Sequence, residues 1–168
     1  MLETAALVIF PSLMAYAASS DLLTMTISNR ISLALVAGFM AIALAAGMPL
    51  TDIGWHLACG LLVLVITFTL FSFGQIGGGD AKLAAATSIW MGWGQVMEYG
   101  LVASLAGAAL TLALLQMRRW PLPARLSDLK WLVRLHEPKS GVPYGIALAL
   151  AGLFLYPHSA LWMRIVHG

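Results

Sequence analysis

Residues 53–86 read IGWHLACGLLVLVITFTLFSFGQIGGGDAKLAAA. An apolar stretch without acidic or basic charge runs to Phe73, long enough for a membrane helix, and a second apolar run starts after Asp80. At the break between them, Gly77, Gly78 and Gly79 stand in succession and deliver that aspartate. Glycine has no Cβ, so such a run lets the backbone turn sharply or approach another chain, although it is disfavoured inside regular structure. A carboxylate beside lipid-soluble segments marks a candidate functional site whose partner has to be sought elsewhere in the chain.

The composition supports a membrane setting. Of the 168 residues, 61% are hydrophobic and only 10% charged, against about 25% charged in soluble domains. A hydrocarbon core of about 30 Å calls for roughly 20 apolar helical residues per crossing, which allows about six or seven crossings. A window of about 19 residues predicts six transmembrane helices near 2–20, 31–47, 53–73, 82–97, 99–117 and 141–157, with 118–140 as the one long loop. The expectation is an all-α membrane protein, residues 1–168 forming a single polytopic domain, with Pro11 kinking the first helix. Glu3 and the absence of Lys or Arg before Arg30 argue against a signal peptide, so 2–20 reads as a retained helix. The single cysteine, Cys59, allows neither an internal disulfide nor a Cys-rich zinc site. A formal net charge of +2 gives no reason to expect nucleic acid.

The basic residues orient the six helices. Arg30 lies in the first loop, Lys82 in the third, and Arg118, Arg119, Arg125, Lys130, Arg134 and Lys139 in the fifth, which leaves Arg164 alone on the opposite side. The positive-inside rule makes the populated side cytoplasmic and puts both termini outside. Trp90, Trp93 and Tyr99 fall where interfacial aromatics are expected. In the long loop, Leu126, Leu129, Leu132, Val133 and His136 recur at helical spacing while Arg125, Asp128 and Arg134 fall elsewhere. The pattern predicts an amphipathic cytoplasmic segment on the membrane surface, the alternative being a loop helix packed on the bundle.

This topology supplies the partner for Asp80. Asp21 ends the first helix and Asp80 opens the fourth, both at the cytoplasmic border, whereas Asp128 and Glu137 lie among basic loop neighbours. Two carboxylates brought together away from water cannot both ionise cheaply and tend to share a proton. The ionised member can take a proton from water attacking a peptide carbonyl while the protonated one polarises that carbonyl, with no metal, cofactor or covalent nucleophile. Taken singly, Asp21 reads equally as a residue capping a helix end and Asp80 as an N-cap of a helix starting at Ala81.

Three elements together carry a family resemblance: Asp21 with Ile27 and Asn29 downstream (DLLTMTISNR), Gly77-Gly78-Gly79-Asp80 followed by Lys82 and Leu83, and Val142-Pro143-Tyr144-Gly145 opening the last helix. In these the chain resembles the prepilin peptidases, polytopic membrane aspartic endopeptidases that remove the leader from type IV prepilins. The resemblance implies a catalytic pair at Asp21 and Asp80, shaped by Gly77, Gly78 and Gly79. It also implies a prepilin substrate with a short basic leader and a hydrophobic helix, cut at the cytoplasmic face of a bacterial inner membrane. The N-terminal cytoplasmic region and paired cysteines of larger members have no counterpart here, so the chain looks like the short branch associated with Flp/Tad pili, with methylation not expected. Ser28 stands where the family often has proline.

Lys82, two residues past Asp80, could act on it electrostatically or simply fix topology. Asn29 reads as a loop hydrogen-bonder or a helix cap, and Tyr144 as a site residue or a belt tyrosine. His56, His158 and His167 fall on the side opposite the aspartates, where interfacial or surface roles are expected. His136-Glu137 precedes Pro138 without a second histidine four residues on, so the helical zinc-protease motif fails. The competing functional classes are a small proton-coupled transporter and a non-catalytic component of a pilus assembly machine. A proton relay calls for carboxylates near the midplane.

Overall fold

The computed structural model describes residues 1–126 and 128–167, without the side chains of Ala124 and His167; Ser127 of the predicted amphipathic segment and the expected surface role of the His167 side chain lie outside it. Among the described residues there are helices and no strands. The helices are α1 (Leu2–Thr24), α2 (Asn29–Ala45), α3 (Leu50–Ser72), α4 (Gly78–Met91), α5 (Val96–Met117), α6 (Lys130–His136), α7 (Tyr144–Leu155) and α8 (Ala160–His167). Short 3₁₀ turns at Ala124–Leu126, Pro138–Ser140 and Tyr156–His158 link the later ones.

Three helices, α1, α3 and α5, are long and apolar enough to cross a membrane. A fourth is reached if Tyr144–His158 and Ala160–Val166, bent by 42°, count as one broken span. Of the six predicted spans, three or four meet the length and composition of a membrane-crossing helix. The short ones are α2, with 17 residues, and α4, with 14, about 25 and 21 Å of helix at 1.5 Å per residue.

The physical reason is clearest in α4. It packs against α2, α3, α5 and α7, with further contact to α8, and every residue from Leu83 to Met91 is buried. A helix enclosed by other helices needs no lipid-facing hydrophobic surface, and the small side chains Ala81, Ala84, Ala85 and Ala86 let its neighbours come close. The tightest approach is at Gly60 of α3, where an added Cβ would lie 2.3 Å from Ile89 Cγ1 and 3.0 Å from the Ala85 carbonyl oxygen.

Two aromatic expectations are overturned for the same reason. Trp90 is fully buried, its indole N–H donating to the Leu35 carbonyl at 3.0 Å, and it packs with Phe10, Phe39 and Tyr156. Tyr99 is also buried, so of the three predicted interfacial aromatics only Trp93 is exposed. His56 is no surface residue either: its Nδ1 donates to the Ile89 carbonyl at 2.7 Å, satisfying an acceptor in the last turn of α4. The positive φ of Gly92, 65°, places that residue against the imidazole, where a Cβ would lie 2.7 Å from Cε1.

Helix boundaries shift from the predicted ones where polar residues extend a helix. α1 runs on to Thr24, taking Asp21 inside its last turn, and α4 starts at Gly78 instead of 82. The last span stops at Leu155 and breaks at Tyr156–His158 before α8. The amphipathic segment condenses to α6, which packs on α1 and α5 with Leu135 buried and Arg134 Nη1 donating to the Leu23 carbonyl at 3.4 Å. Leu126, Leu129 and Val133 of the predicted apolar face remain exposed. Arg118 holds this segment, donating through Nε to the Leu135 carbonyl at 2.9 Å and through Nη2 to Gly141 at 2.7 Å.

The α3–α4 contact yields a stability test. Gly60→Ala forces the Ile89 side chain aside and lowers stability by about 1–3 kcal/mol. Gly54→Ala in the same helix meets nothing within 4 Å and is neutral or stabilising by up to about 1 kcal/mol through helix propensity. Thermal unfolding in detergent micelles compares the two, and equal midpoints would contradict this packing.

Candidate functional site

The start of α7 is where the first predicted element meets the last. A helix N-terminus leaves its first N–H groups without partners, and the residue before α7, Pro143, supplies no side-chain cap. The acceptor comes instead from α1: the Gly145 N–H donates to Asp21 Oδ2 at 2.7 Å. Asp21 is thus buried against the positive end of α7. Position 145 has room for glycine alone, since a Cβ there would lie 2.8 Å from Asp21 Oδ2 and 2.7 Å from Ile27 Cδ1.

Ile27 bridges to the other aspartate. Its Cβ would stand 3.1 Å from a Cβ at Gly79, so one buried side chain touches both the glycine run and the start of α7. Each glycine of that run makes room for a particular neighbour. A Cβ at Gly77 would sit 2.7 Å from Asp80 Oδ2, and one at Gly78 would press on the Phe71 ring at 3.2 Å. None of the three has positive φ; the left-handed residue in this turn is Gly74, at φ 71°.

The helix therefore begins with Gly77 as N-cap and carries Asp80 in its first turn, not as the N-cap of a helix starting at Ala81. Both carboxylates stand at helix N-termini. Ile27 lies between them, against Gly145, whose N–H binds Asp21, and against Gly79, the residue before Asp80. Asp80 is half-buried and lines a cavity of about 480 Å³ between α3, α4, α5 and α7, together with Tyr144. The Tyr144 hydroxyl lies 3.1 Å from Thr111 Oγ1, and its ring fills the space left by Gly107, where a Cβ would be 2.8 Å from Cε1.

The remaining predicted site residues pair with each other. Lys82 Nζ donates to Asn29 Oδ1 at 2.8 Å, joining α4 to α2. Residues two apart on a helix do not face each other, and Lys82 lines a separate cavity from Asp80. Asn29 is not the helix cap: Ser28 holds that position, its Oγ accepting from the Arg30 N–H at 3.3 Å. The serine thus does by hydrogen bonding what a proline there would do by ring stiffness.

Sequence reading passed over Thr111 and Gly107, whose only signal was a spacing of four residues on one helix, and it took Tyr99 for an interfacial residue although it lines the Asp80 cavity. Among the described residues no three His, Cys, Asp or Glu side chains form a group able to hold a metal ion. The arrangement presents one buried carboxylate fixed by a backbone N–H and a second that opens to a cavity, each a group able to do acid–base chemistry.

The Asp21 hydrogen bond has a direct readout. Asp21→Ala leaves the Gly145 N–H buried without an acceptor, which lowers stability by about 1–3 kcal/mol and speeds exchange of that amide in hydrogen-exchange measurements. Unchanged protection at Gly145 would refute the contact.

Comparison with known proteins bears on the chemistry. The model of the type IV leader peptidase family matches residues 8–112. A protein of Aeromonas salmonicida (strain A449) named prepilin leader peptidase/N-methyltransferase is 31% identical over 137 residues, 79% of this chain and 42% of that protein. A protein of the same name from Aeromonas hydrophila is 30% identical over 137 residues, with the same coverage. The chain thus spans about two fifths of the length of these curated relatives. No solved structure matches it.

Proposed function

The chain belongs to the type IV leader peptidase family, and from that premise we propose that it is an aspartic endopeptidase that removes the leader of a prepilin with Asp21 and Asp80 as its reacting pair. The observation that carries this reading is the convergence of the two aspartates on Ile27, one through Gly145 and one through Gly79. The pair shares a proton, as adjacent carboxylates away from water do. The ionised oxygen takes a proton from the water that attacks the scissile carbonyl, and the protonated one donates to that carbonyl and then serves the leaving amine. Gly145 fixes the rotamer of Asp21 while Asp80 faces the cavity from which substrate arrives.

The substrate of this reading is a type IV pilin precursor, of the Flp kind that the sequence resemblance implies, with a basic leader ahead of a hydrophobic helix. The reading is of hydrolysis, not of the N-methyl transfer that the relatives' names also carry. The chain sits as a single six-helix domain in a bacterial inner membrane, with α2 and α4 shielded by longer neighbours, both termini outside and the aspartates at the cytoplasmic face. The clustering of basic residues at that face supports this orientation. A proton-coupled transporter is disfavoured because Asp21 occupies the last turn of α1 and Asp80 the first turn of α4, both far from mid-helix.

A cleavage assay with a co-expressed precursor tests the pair. Asp21→Ala and Asp80→Ala should each lower leader removal by about 10²–10⁴-fold, the scale of a lost general acid or base. Cleavage that survives either change sinks the mechanism. The orientation has its own check: a reporter fused after Lys130 should report a cytoplasmic location, and a periplasmic signal would reverse the topology.

A further inference from the structure

α2 and α3 follow one another in the chain and both pack on α4, yet they scarcely touch each other. The gap between them is a groove of about 460 Å³ with α4 as its floor, within the range of ligand pockets. Leu33 and Val36 of α2 and Leu57, Leu61 and Leu64 of α3 wall it, and Leu33 and Leu61 are exposed. These side chains are as apolar as lipid tails, and the groove opens sideways toward them.

One end of the groove is charged. Lys82 Nζ, near the start of α4, spends one of its three donors on Asn29 Oδ1, at the start of α2, over 2.8 Å. That acceptor is neutral and leaves the positive charge uncancelled. Asp80, two residues away, lines the groove on the other flank of α4. Arg30, next to Asn29, is exposed, and the positive ends of α2 and α4 stand at this same end. The opposite end is formed by Val36, Leu57 and Ile89, which carry no charge.

We propose that this groove binds an anionic phospholipid, with its phosphate on the Lys82 ammonium and one acyl chain between α2 and α3. The dimensions agree. Asn29 to Val36, Leu57 to Leu64 and Lys82 to Ile89 each span seven residues, about 10 Å of helix rise, against about 15 Å for one leaflet of the hydrocarbon core. A transmembrane helix would run on past Ile89, and close approach of its backbone calls for small residues where this groove presents branched ones. An acyl chain needs neither. The headgroup agrees as well, because basic pockets between membrane helices take anionic lipids, and an ammonium at the mouth attracts a phosphate. The lipid supplies the contact that α2 and α3 do not make with each other. This site stands apart from the peptidase reading, which rests on the two aspartates.

The test uses the full chain in phosphatidylcholine vesicles doped with phosphatidylglycerol, or with further phosphatidylcholine, whose acyl chain carries a photoactivatable diazirine. After illumination, peptide mapping should place the phosphatidylglycerol adduct on Leu57, Leu61 or Leu64. Its yield should be about fivefold above that of the phosphatidylcholine adduct, the scale of one basic side chain acting on an anionic lipid. Inorganic phosphate should not displace it, because the buried acyl chain supplies the rest of the affinity. Lys82→Met should bring the two lipids level, whereas Lys130→Met, on α6, should leave the preference intact. Leu61→Trp, a larger side chain at an exposed position, should lower the adducts at Leu57 and Leu64. Equal labelling by the two lipids in the wild-type chain, or adducts spread alike over α1 and α5, overturns the site whether or not the variants fold. So does a preference that survives Lys82→Met, labelling of Leu57 and Leu64 unchanged by Leu61→Trp, or displacement by inorganic phosphate.

Discussion

The hydrogen bond from the Gly145 amide to Asp21 ties the first long helix to the start of α7, and much of the molecule is arranged so that it can form. It settles two electrostatic demands at once. An N-terminal amide of α7 gains an acceptor that no local side chain provides, and a buried carboxylate gains a donor at the positive end of a helix dipole. The geometry leaves no slack, because Ile27 and Asp21 together occupy the volume a side chain at position 145 would need. The sequence Val142-Pro143-Tyr144-Gly145 is then legible as a helix start built around another helix's aspartate. Arg118 contributes from the far side by bonding the carbonyl of Gly141, which holds the approach to α7 in place.

The same economy governs the other half of the site. Gly77, Gly78 and Gly79 adopt backbone angles open to any residue, so their purpose is space and not conformation. One admits the Asp80 carboxylate, one the Phe71 ring and one Ile27. The conformational work of the turn falls on Gly74. Of the two uses the sequence offers for the run, a sharp turn or a close approach, the three glycines serve close approach.

Much of this was legible in the amino-acid order, and what was missed shares one cause. Apolar windows found helices because lipid-facing and core-facing surfaces both select apolar residues. They misjudged α4 because its Ala-rich, Thr87- and Ser88-containing sequence answers to enclosing helices instead of lipid. Trp90 and Tyr99 were misread on the same ground: an aromatic near a helix end looks interfacial unless one knows that other helices close over it. The aspartates were found because charge beside apolar sequence is conspicuous. Thr111 and Gly107 were not, because a four-residue spacing on an apolar helix singles out no function until the ring of Tyr144 is seen against them.

The position at which α4 begins determines the electrostatics of both its flanks. Had the helix opened at residue 82, as the apolar pattern suggests, Asp80 would lie in flexible chain two residues from Lys82, free to pair with it. Because the glycines admit a helix from Gly78, the two charges enter helical register on faces about 200° apart. Lys82 turns to Asn29, a neutral partner that leaves its charge intact, and Asp80 turns to the opposite cavity. Neutralisation of either charge by the other would erase the difference between the two grooves. The three glycines therefore do more than clear space around one carboxylate: by fixing where the helix starts, they keep acid and base apart and give each side of α4 its own sign.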